Sequence, residues 1–203
     1  MKLYYAPGAC SLAPHIVLNE IGADYSLEKV DLADKKTETG ANFTEVNSKG
    51  YVPTLEFAKD QVLTEVSTIV QYLADKAEGS KLLPKFGSMD RYRAMEMLNF
   101  VGSELHKGIG GLFNKAMPED GKKAIIERVT KRLAWVDAQL AAKPYLLGDD
   151  YSVADAYAFT VLGWCKYVGI DLAPYVNIVA YLDRVGSRPA VQAAMKKEGL
   201  IPA

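Results

Sequence analysis

The stretch KLYYAPGACSLAPHIVLNEIG, residues 2–22, decides the fold, because it joins a strand to a helix through a turn that carries a cysteine. Lys2–Tyr5 reads as a strand and Pro7-Gly8 as a turn. A largely apolar run, Ser11–Ile21, predicts a helix that the next residue, a glycine, closes. Cys10 is therefore expected at the N-terminus of the first helix.

Further along, the first half of the chain continues to mix strands and helices. Tyr25–Leu32 predicts a second strand, although its alternation is loose. Pro53–Phe57 alternates cleanly and is joined to Val62–Thr64 by a polar turn at Lys59-Asp60, which predicts a hairpin. A helix is expected from about Ser67. The order β-α-β followed by β-β-α indicates a small open sheet with helices packed on it.

After residue 78 the strand patterns stop, and the apolar residues of every long segment recur at helical spacing. Ser152-Val153-Ala154-Asp155 has the form of a capping box, with Asp in place of the usual Glu. We therefore expect an α/β domain over residues 1–78, a linker over 79–87 and an all-helical domain over 88–203.

The composition excludes several classes of function. Basic and acidic residues nearly balance, 24 against 25, so the charge offers no attraction for nucleic acid or an anionic membrane. The chain contains no apolar run of the roughly 18 residues that a membrane span needs, and its start lacks a signal-peptide pattern. Two cysteines are too few for a secreted disulfide framework. We expect a cytoplasmic protein.

Cys10 has two possible roles. A helix N-terminus presents unpaired N–H groups and partial positive charge, which stabilise a thiolate, the reactive form of cysteine. Alternatively, Cys10 is a small buried residue at a strand–helix junction. A strand, a turn and a cysteine at a helix start also describe the thioredoxin-like fold, but the motif Cys-x-x-Cys is absent, so an internal dithiol is not expected. Cys165 is expected in the core of the helical half.

The two histidines differ in their surroundings. His15 follows Cys10 by five residues, so it should point about 140° away on the same helix and lie at a surface or interface. His106 recurs with Asn99 and Ser103 at i, i+4 and i+7, which predicts one helical stripe of hydrogen-bonding groups. Such a stripe suits a small polar ligand, and an interhelical polar contact is the alternative.

The sequence resembles the cytosolic glutathione transferases, specifically the bacterial beta class. The resemblance spans essentially the whole chain and is carried by MKLYYAPGACSLAPHIVLNE, YVPTLE, VLTEVSTIVQYLAD, NFVGSELHKG, SVADAYAFTVLGW and SRPAVQAAMKKEGL. It implies an N-terminal thioredoxin-like domain that binds glutathione as a co-substrate and an all-helical domain that lines the site for a small hydrophobic electrophile. It also implies a homodimer, and it implies no metal.

The resemblance assigns the catalytic roles to Cys10 and His106, and glutathione binding to a larger set. Val52, before an expected cis Pro53, would pair with the cysteinyl backbone of glutathione, and Glu65 would hold the γ-glutamyl amino group. The remaining positions assigned to glutathione are Cys10 and His106 themselves, Lys35, Val66, Asn99, Ser103, Glu104 and Lys107. Whether Glu104 acts across the dimer is left open, and Trp164 is assigned to the second-substrate pocket, with a core role as the alternative.

One position departs from the family pattern. Many relatives have Gly or Ser after the glutamate, whereas here Val66 follows Glu65 and Ser67 comes next. A valine keeps the backbone N–H but has no hydroxyl, so a side-chain contact from position 66 is lost, and whether the Ser67 hydroxyl replaces it is a question the sequence leaves open.

Two classes of function follow from these patterns. The first is an enzyme that activates the glutathione thiol for conjugation and forms a mixed disulfide through Cys10. The second is a protein of the same fold without catalysis, such as an apolar-ligand carrier or a regulator like the stringent-starvation proteins, which lack the complete set of site residues.

Overall fold

The first predicted strand, β1 (Lys2–Tyr5), lies at the centre of a five-stranded sheet with the order β3-β2-β1-β4-β5. It pairs in parallel with β2 (Ser26–Asp31) and antiparallel with β4 (Thr54–Ala58). The predicted hairpin is confirmed, because β4 pairs antiparallel with β5 (Gln61–Thr64). Leu3 is opposite Leu27 on one side and Leu55 on the other, and its side chain is fully buried.

The computed structural model describes residues 1–202, and contacts group them into two units. Residues 1–80 and the C-terminal residues from Arg188 onwards form the first unit, and residues 81–187 form the second. The first unit contains the sheet and the helices α1 (Leu12–Glu20), α2 (Phe43–Val46), α3 (Val66–Lys76) and α9 (Pro189–Lys197).

The core of the first unit forms where helices cover the sheet. Helix α1 is buried from Leu12 to Leu18, and α3 buries a face that includes Ile69, Val70 and Leu73. The two helices pack against each other. The apolar spacing of the α3 sequence predicts this face, since residues three and four apart lie on the same side of a helix.

Two short elements of this unit have no clear signal in the sequence. Strand β3 (Lys36–Thr37) has two residues, and α2 (Phe43–Val46) is a single turn, so neither is long enough to show a period. Asn42 begins α2 with a side-chain oxygen that accepts the Thr44 N–H. The fully buried Phe43 then anchors the turn in the core.

The C-terminal residues differ from the expected domain bounds. Helix α9 packs against α1, so the contacts place the chain from Arg188 with the first unit, not with the helical one. Arg188 holds Glu20 through two hydrogen bonds of 2.7 and 3.0 Å. This return of the chain spans more than a hundred residues, and no local sequence pattern predicts it.

The regular elements of residues 81–187 are helices, as predicted. They are α4 (Met89–Phe100), a π-helix (Val101–His106), α5 (Lys107–Gly111), α6 (Glu119–Leu140), α7 (Val153–Leu162), a 3₁₀ turn (Cys165–Tyr167) and α8 (Val176–Gly186). Helices α5 and α6 pack closely at Gly108, where an added Cβ would lie only 2.6 Å from Val129 Cγ2.

The predicted capping box at the start of α7 is confirmed. Asp155 accepts hydrogen bonds from the Ser152 N–H at 2.8 Å and from the Ser152 hydroxyl at 2.7 Å. Its other oxygen accepts from the Leu146 N–H and the Tyr181 hydroxyl, so one buried carboxylate joins a loop, α7 and α8. Burial raises the pKa of the Asp155 carboxyl above its ordinary value.

Within residues 1–202, the helices all fall short of the length and apolar character that crossing a bilayer requires.

Candidate functional site

Cys10 lies in a turn, residues Ala6–Ser11, that leads from β1 into α1; we call it the Cys10 turn. The thiol is partly exposed, and its Sγ donates to the backbone oxygen of Val52 at 3.3 Å. The fully buried Ser11 hydroxyl bridges the Ala6 N–H and C=O, at 3.2 Å each. The turn is thus closed from within, and its thiol faces a neighbouring loop.

That loop, Lys49–Pro53, brings several of the predicted residues together. The Val52–Pro53 peptide bond is cis, as expected. Val52 O accepts the Cys10 thiol, while within residues 1–202 the Val52 N–H has no protein acceptor. Gly50, with φ +67°, lies against the side chain of Lys35. Loop 49–53 therefore contacts both Cys10 and Lys35. Its backbone at Val52 could form strand-like hydrogen bonds with a bound peptide.

Glu65 lies at the same loop. Its carboxylate accepts from Lys49 Nζ at 2.6 Å and from the Tyr51 hydroxyl at 2.8 Å. The hydrogen bond to Glu65 raises the pKa of both the Lys49 ammonium and the Tyr51 hydroxyl. The Glu65 side chain is 54 % exposed, so the carboxylate is available to a ligand. Sequence reasoning missed Lys49 and Tyr51, although both belong to the run that precedes Pro53.

Glu65 also begins α3 with a left-handed backbone, φ +70°. Val66 is the first residue of the helix, so its N–H is one of the amides that have no partner four residues back. The Val66 side chain is buried, as a valine here requires. The start of α3 thus combines a carboxylate with backbone amides, and these groups can hold an ammonium and a carboxylate of one ligand.

His106 belongs to the helical unit. Its Nδ1 lies 2.6 Å from the Tyr157 hydroxyl of α7. The imidazole also makes edge-on ring contacts with Tyr157 and with Trp164, the latter at a centroid distance of 4.9 Å. Gly110 leaves room beside both rings, since an added Cβ would lie 3.4 Å from the imidazole and 3.6 Å from the indole. Sequence reasoning missed Tyr157, which is 51 positions away.

The predicted stripe of Asn99, Ser103 and His106 assumes an α-helical turn, and this assumption is wrong. Residues Val101–His106 form a π-helix, whose i→i+5 hydrogen bonds widen the turn and change the phase of the residues that follow. Asn99 and Ser103 are exposed, and the Ser103 hydroxyl donates to Asn99 O at 2.9 Å. His106 instead makes the interhelical contact that was the alternative interpretation.

The other predicted site residues of this unit are Glu104, Lys107 and Trp164. Glu104 accepts from Arg132 Nε of α6 at 2.6 Å, so its carboxylate has a counterion in the same chain. Lys107 is exposed at the start of α5. Trp164 is 8 % exposed and packs on His106 and Phe113, which combines the burial of a core tryptophan with direct contact to the imidazole.

Cys165 and His15 are both buried, which confirms one prediction and contradicts the other. Cys165 is fully buried, as expected for a core residue, and burial raises its pKa to about 12. His15, expected at a surface or interface, is also fully buried, so that prediction is wrong. The prediction assumed that the helix face opposite Cys10 is exposed. Helix α1 is instead buried all around from Leu12 to Leu18, and the carboxylate of Glu198 reaches the His15 imidazole.

Among residues 1–202, no group of three or more His, Cys, Asp and Glu side chains is placed to hold a metal ion. The first unit presents the Cys10 thiol, the Glu65 carboxylate and the backbone amides at the start of α3, and the His106 imidazole belongs to the second unit.

Comparison with known proteins places this geometry in a family. Residues 8–76 match the model of the glutathione S-transferase N-terminal domain, and residues 119–184 match that of the C-terminal domain. A glutathione S-transferase of Escherichia coli O157:H7, GstA, is 42 % identical over 200 residues, covering 98 % of this chain and all of that protein.

Two solved structures are similar along their whole length. A sphingomonad glutathione S-transferase in complex with glutathione is 48 % identical, with a TM-score of 0.95 and coverage of 99 % of this chain and 100 % of that one. A beta-class enzyme of Sphingomonas chungbukensis is 45 % identical, with the same TM-score and the same coverage. The chain therefore belongs to the glutathione S-transferase family and is an enzyme of its bacterial beta class.

Proposed function

We propose that this enzyme conjugates the glutathione thiolate to small hydrophobic electrophiles and also exchanges disulfides with glutathione through Cys10. The observation that carries the proposal is the placement of the Cys10 thiol 3.3 Å from Val52 O, on the loop whose Tyr51 reaches the Glu65 carboxylate. A thiol and an anionic anchor that both contact a loop with peptide-pairing backbone match the parts of a γ-glutamyl tripeptide.

Glutathione binding would use groups that the first unit already presents. The Val52 N–H and C=O would pair with the cysteinyl backbone, since a carbonyl has a second lone pair beside the one facing Cys10. Glu65 would exchange its contact with Lys49 for the γ-glutamyl ammonium, and the amides at the start of α3 would take the α-carboxylate. Pro53 fixes the loop, and Lys35, beside Gly50, would bind the glycyl carboxylate.

The proposed chemistry has two branches. In conjugation, the thiol of glutathione loses its proton to solvent, and the resemblance assigns stabilisation of the thiolate to Cys10 and His106. The thiolate sulfur then bonds to an electrophilic carbon, for example that of an activated aryl halide, whose carbon–halogen bond breaks and releases halide. In disulfide exchange, the Cys10 thiolate attacks a disulfide that contains glutathione, one thiolate departs, and the glutathionyl group stays on Cys10 as a mixed disulfide. A second glutathione thiolate then attacks this mixed disulfide, which releases Cys10 and gives glutathione disulfide. The resemblance adds Asn99, Ser103, Glu104 and Lys107 to the glutathione contacts and Trp164 to the electrophile pocket, and these assignments are part of the proposal.

We also propose that the enzyme is a homodimer in the cytoplasm. Large apolar side chains are exposed around the start of α4, where Phe86 is 81 %, Met89 68 % and Tyr92 56 % exposed. Apolar groups concentrated on one exposed segment favour an interface between protein chains.

The test is turnover of a panel of small electrophiles with and without glutathione. We expect product only when glutathione is present, and saturation with rising glutathione concentration. Binding of apolar ligands without any glutathione-dependent product would favour a carrier and contradict the proposal.

A further inference from the structure

Glu198, which follows α9, lies in a polar cluster that reaches the Cys10 turn from the far end of the chain. Its side chain and that of His15 are both fully buried. The His15 Nδ1–H donates to Glu198 Oε1 at 2.8 Å, because a carboxylate only accepts. The other oxygen, Oε2, accepts the backbone N–H of Gly8 at 2.9 Å.

The hydrogen bond from Gly8 to Glu198 is a contact between the Cys10 turn and the C-terminal residues. Its φ of +71° is a left-handed conformation that glycine adopts without steric cost. An added Cβ would lie 3.3 Å from Leu200 Cδ2, so the C-terminal residues also cover the turn with an apolar side chain. The Cys10 turn is thus held from within by Ser11 and from outside by Glu198.

The Glu198 contacts are not needed merely to hold α9 against α1. The bidentate pair of Arg188 and Glu20 already joins the two helices. Glu198 differs because one of its oxygens bonds to the backbone of the turn itself, two residues before Cys10.

We propose that Glu198 is a positioning residue for Cys10: its carboxylate fixes Gly8 within the Cys10 turn and thereby holds the thiol beside Val52. The inference deepens the proposed function and depends on it in one respect, that Cys10 is the reacting thiol. Removing the carboxylate would take away the hydrogen bond that ties the Gly8 N–H to the C-terminal residues, and it would remove an acceptor from the buried His15 imidazole, so the turn would be free to shift.

The first test measures how fast Cys10 forms a mixed disulfide with glutathione disulfide, followed by intact mass. The Cys10 thiolate attacks one sulfur of glutathione disulfide and the S–S bond breaks. A Cys10–glutathione disulfide forms, and the departing glutathione thiolate takes up the proton that Cys10 released.

Glu198→Ala should slow this step by roughly tenfold or more, because a small displacement of a reacting group is costly. Glu198→Gln keeps an oxygen for Gly8, so its rate should stay within about twofold of the wild type. Glu20→Ala is the matched control: it breaks a different polar contact between α1 and the C-terminal residues, and its rate should also stay within about twofold.

An equal loss of rate in Glu20→Ala, or no recovery in Glu198→Gln, would overturn the proposal. If Glu198→Ala does not fold, Glu198→Asp replaces it, because the shorter side chain keeps a carboxylate for His15 but does not span to Gly8 as well. The same slowing is expected, and a wild-type rate in Glu198→Asp would overturn the positioning role.

The second test does not depend on glutathione. Hydrogen exchange of the Gly8 amide, followed by NMR, should be about tenfold faster in the Glu198 variant that lacks the bond than in Glu20→Ala. A wild-type protein that forms no mixed disulfide would contradict the proposed function alone. Unchanged Gly8 exchange would contradict the positioning role alone.

Discussion

Glu65 carries the anionic end of the proposed site, and its two protein partners are a cation and a phenol. Lys49 and Tyr51 both belong to loop 49–53 and reach the carboxylate at 2.6 and 2.8 Å. An exposed ion pair of this kind contributes little to stability. The contacts with Lys49 and Tyr51 therefore orient the Glu65 carboxylate at the start of α3, but they add little to the free energy of unfolding.

Glu65→Gln should weaken glutathione binding while the melting temperature stays unchanged. The charge-assisted hydrogen bond to an ammonium is worth roughly 1.5–3 kcal/mol, so the dissociation constant should rise about tenfold or more. Isothermal calorimetry measures it. Glu56→Gln is the matched control, since Glu56 pairs with Lys2 and Tyr4 instead of the loop. An unchanged affinity in Glu65→Gln would reduce Glu65 to a residue that only begins the helix.

Single residues were predictable where local sequence determines their surroundings. Cys10 could be found because the turn and the helix start are adjacent to it, and Val52 because Pro53 follows it. His15 was misplaced because its partner, Glu198, is 183 positions away. Lys49 and Tyr157 were missed for the same reason, since spacing along one segment carries no information about a contact with another.

Among the elements, α5 shows how closely two helices approach when a glycine lies between them. An added Cβ at Gly108 would meet Val129 Cγ2 at 2.6 Å, whereas one at Gly111 would lie 3.7 Å from Ile125 Cδ1, an ordinary contact. The two positions are three residues apart in one helix, so they form a matched pair.

Gly108→Ala should lower the free energy of unfolding by about 1–3 kcal/mol, because the extra methyl group forces α5 and α6 apart. Gly111→Ala should leave it unchanged or raise it by up to about 1 kcal/mol, because alanine is the better helix former. Urea denaturation followed by circular dichroism measures both. Equal effects at the two sites would show that helix propensity, and not the contact with Val129, dominates.

Asp155→Ala should destabilise the protein by about 2–4 kcal/mol, more than the roughly 1 kcal/mol of a simple helix cap. The larger value follows from the loss of an acceptor for donors on three segments, Leu146, Ser152 and Tyr181. Turnover at room temperature should be retained.

Thermal denaturation and an activity assay measure these two effects. Asp120→Ala removes an exposed first-turn carboxylate of α6 and should change stability by less than about 0.5 kcal/mol. A large loss of turnover in Asp155→Ala at normal stability would contradict a structural role.

The sequence predicts elements well where a period or a cap is present, and poorly where the helix itself is irregular. The capping box and the hairpin are confirmed. The π-helix at Val101–His106 was not predicted, because one additional residue in a turn leaves the apolar pattern of the segment nearly intact. The stripe of Asn99, Ser103 and His106 was predicted from α-helical spacing, and Val101–His106 does not have that spacing.

At the scale of the whole molecule, the C-terminal residues belong to the unit that carries Cys10. Helix α9 packs on α1, and the residues after it reach Gly8. The sequence predicted both the sheet and the helical region, and its resemblance to the beta class is confirmed by proteins that are similar along the whole chain.

The proposed dimer has a direct test. Sedimentation equilibrium at micromolar concentration should give twice the mass of the chain. Tyr92→Glu should shift the protein toward monomer, because it places a charge among exposed apolar groups of the proposed interface. Tyr167→Glu is the control, since Tyr167 is 66 % exposed on a different segment. A fully active wild-type monomer at working concentration would contradict the dimer.

The central claim is that Cys10 forms the mixed disulfide but only assists conjugation, and one measurement on Cys10→Ala tests it most directly. After incubation with glutathione disulfide at pH 8, intact mass should show one glutathionyl group on the wild type and none on the variant. Cys165 cannot substitute, because its thiol is buried and its pKa is about 12. Conjugation should fall only in part, since the loss of one contact to the bound thiolate costs about 1–3 kcal/mol. A glutathionyl adduct on Cys10→Ala at the wild-type level would contradict the account.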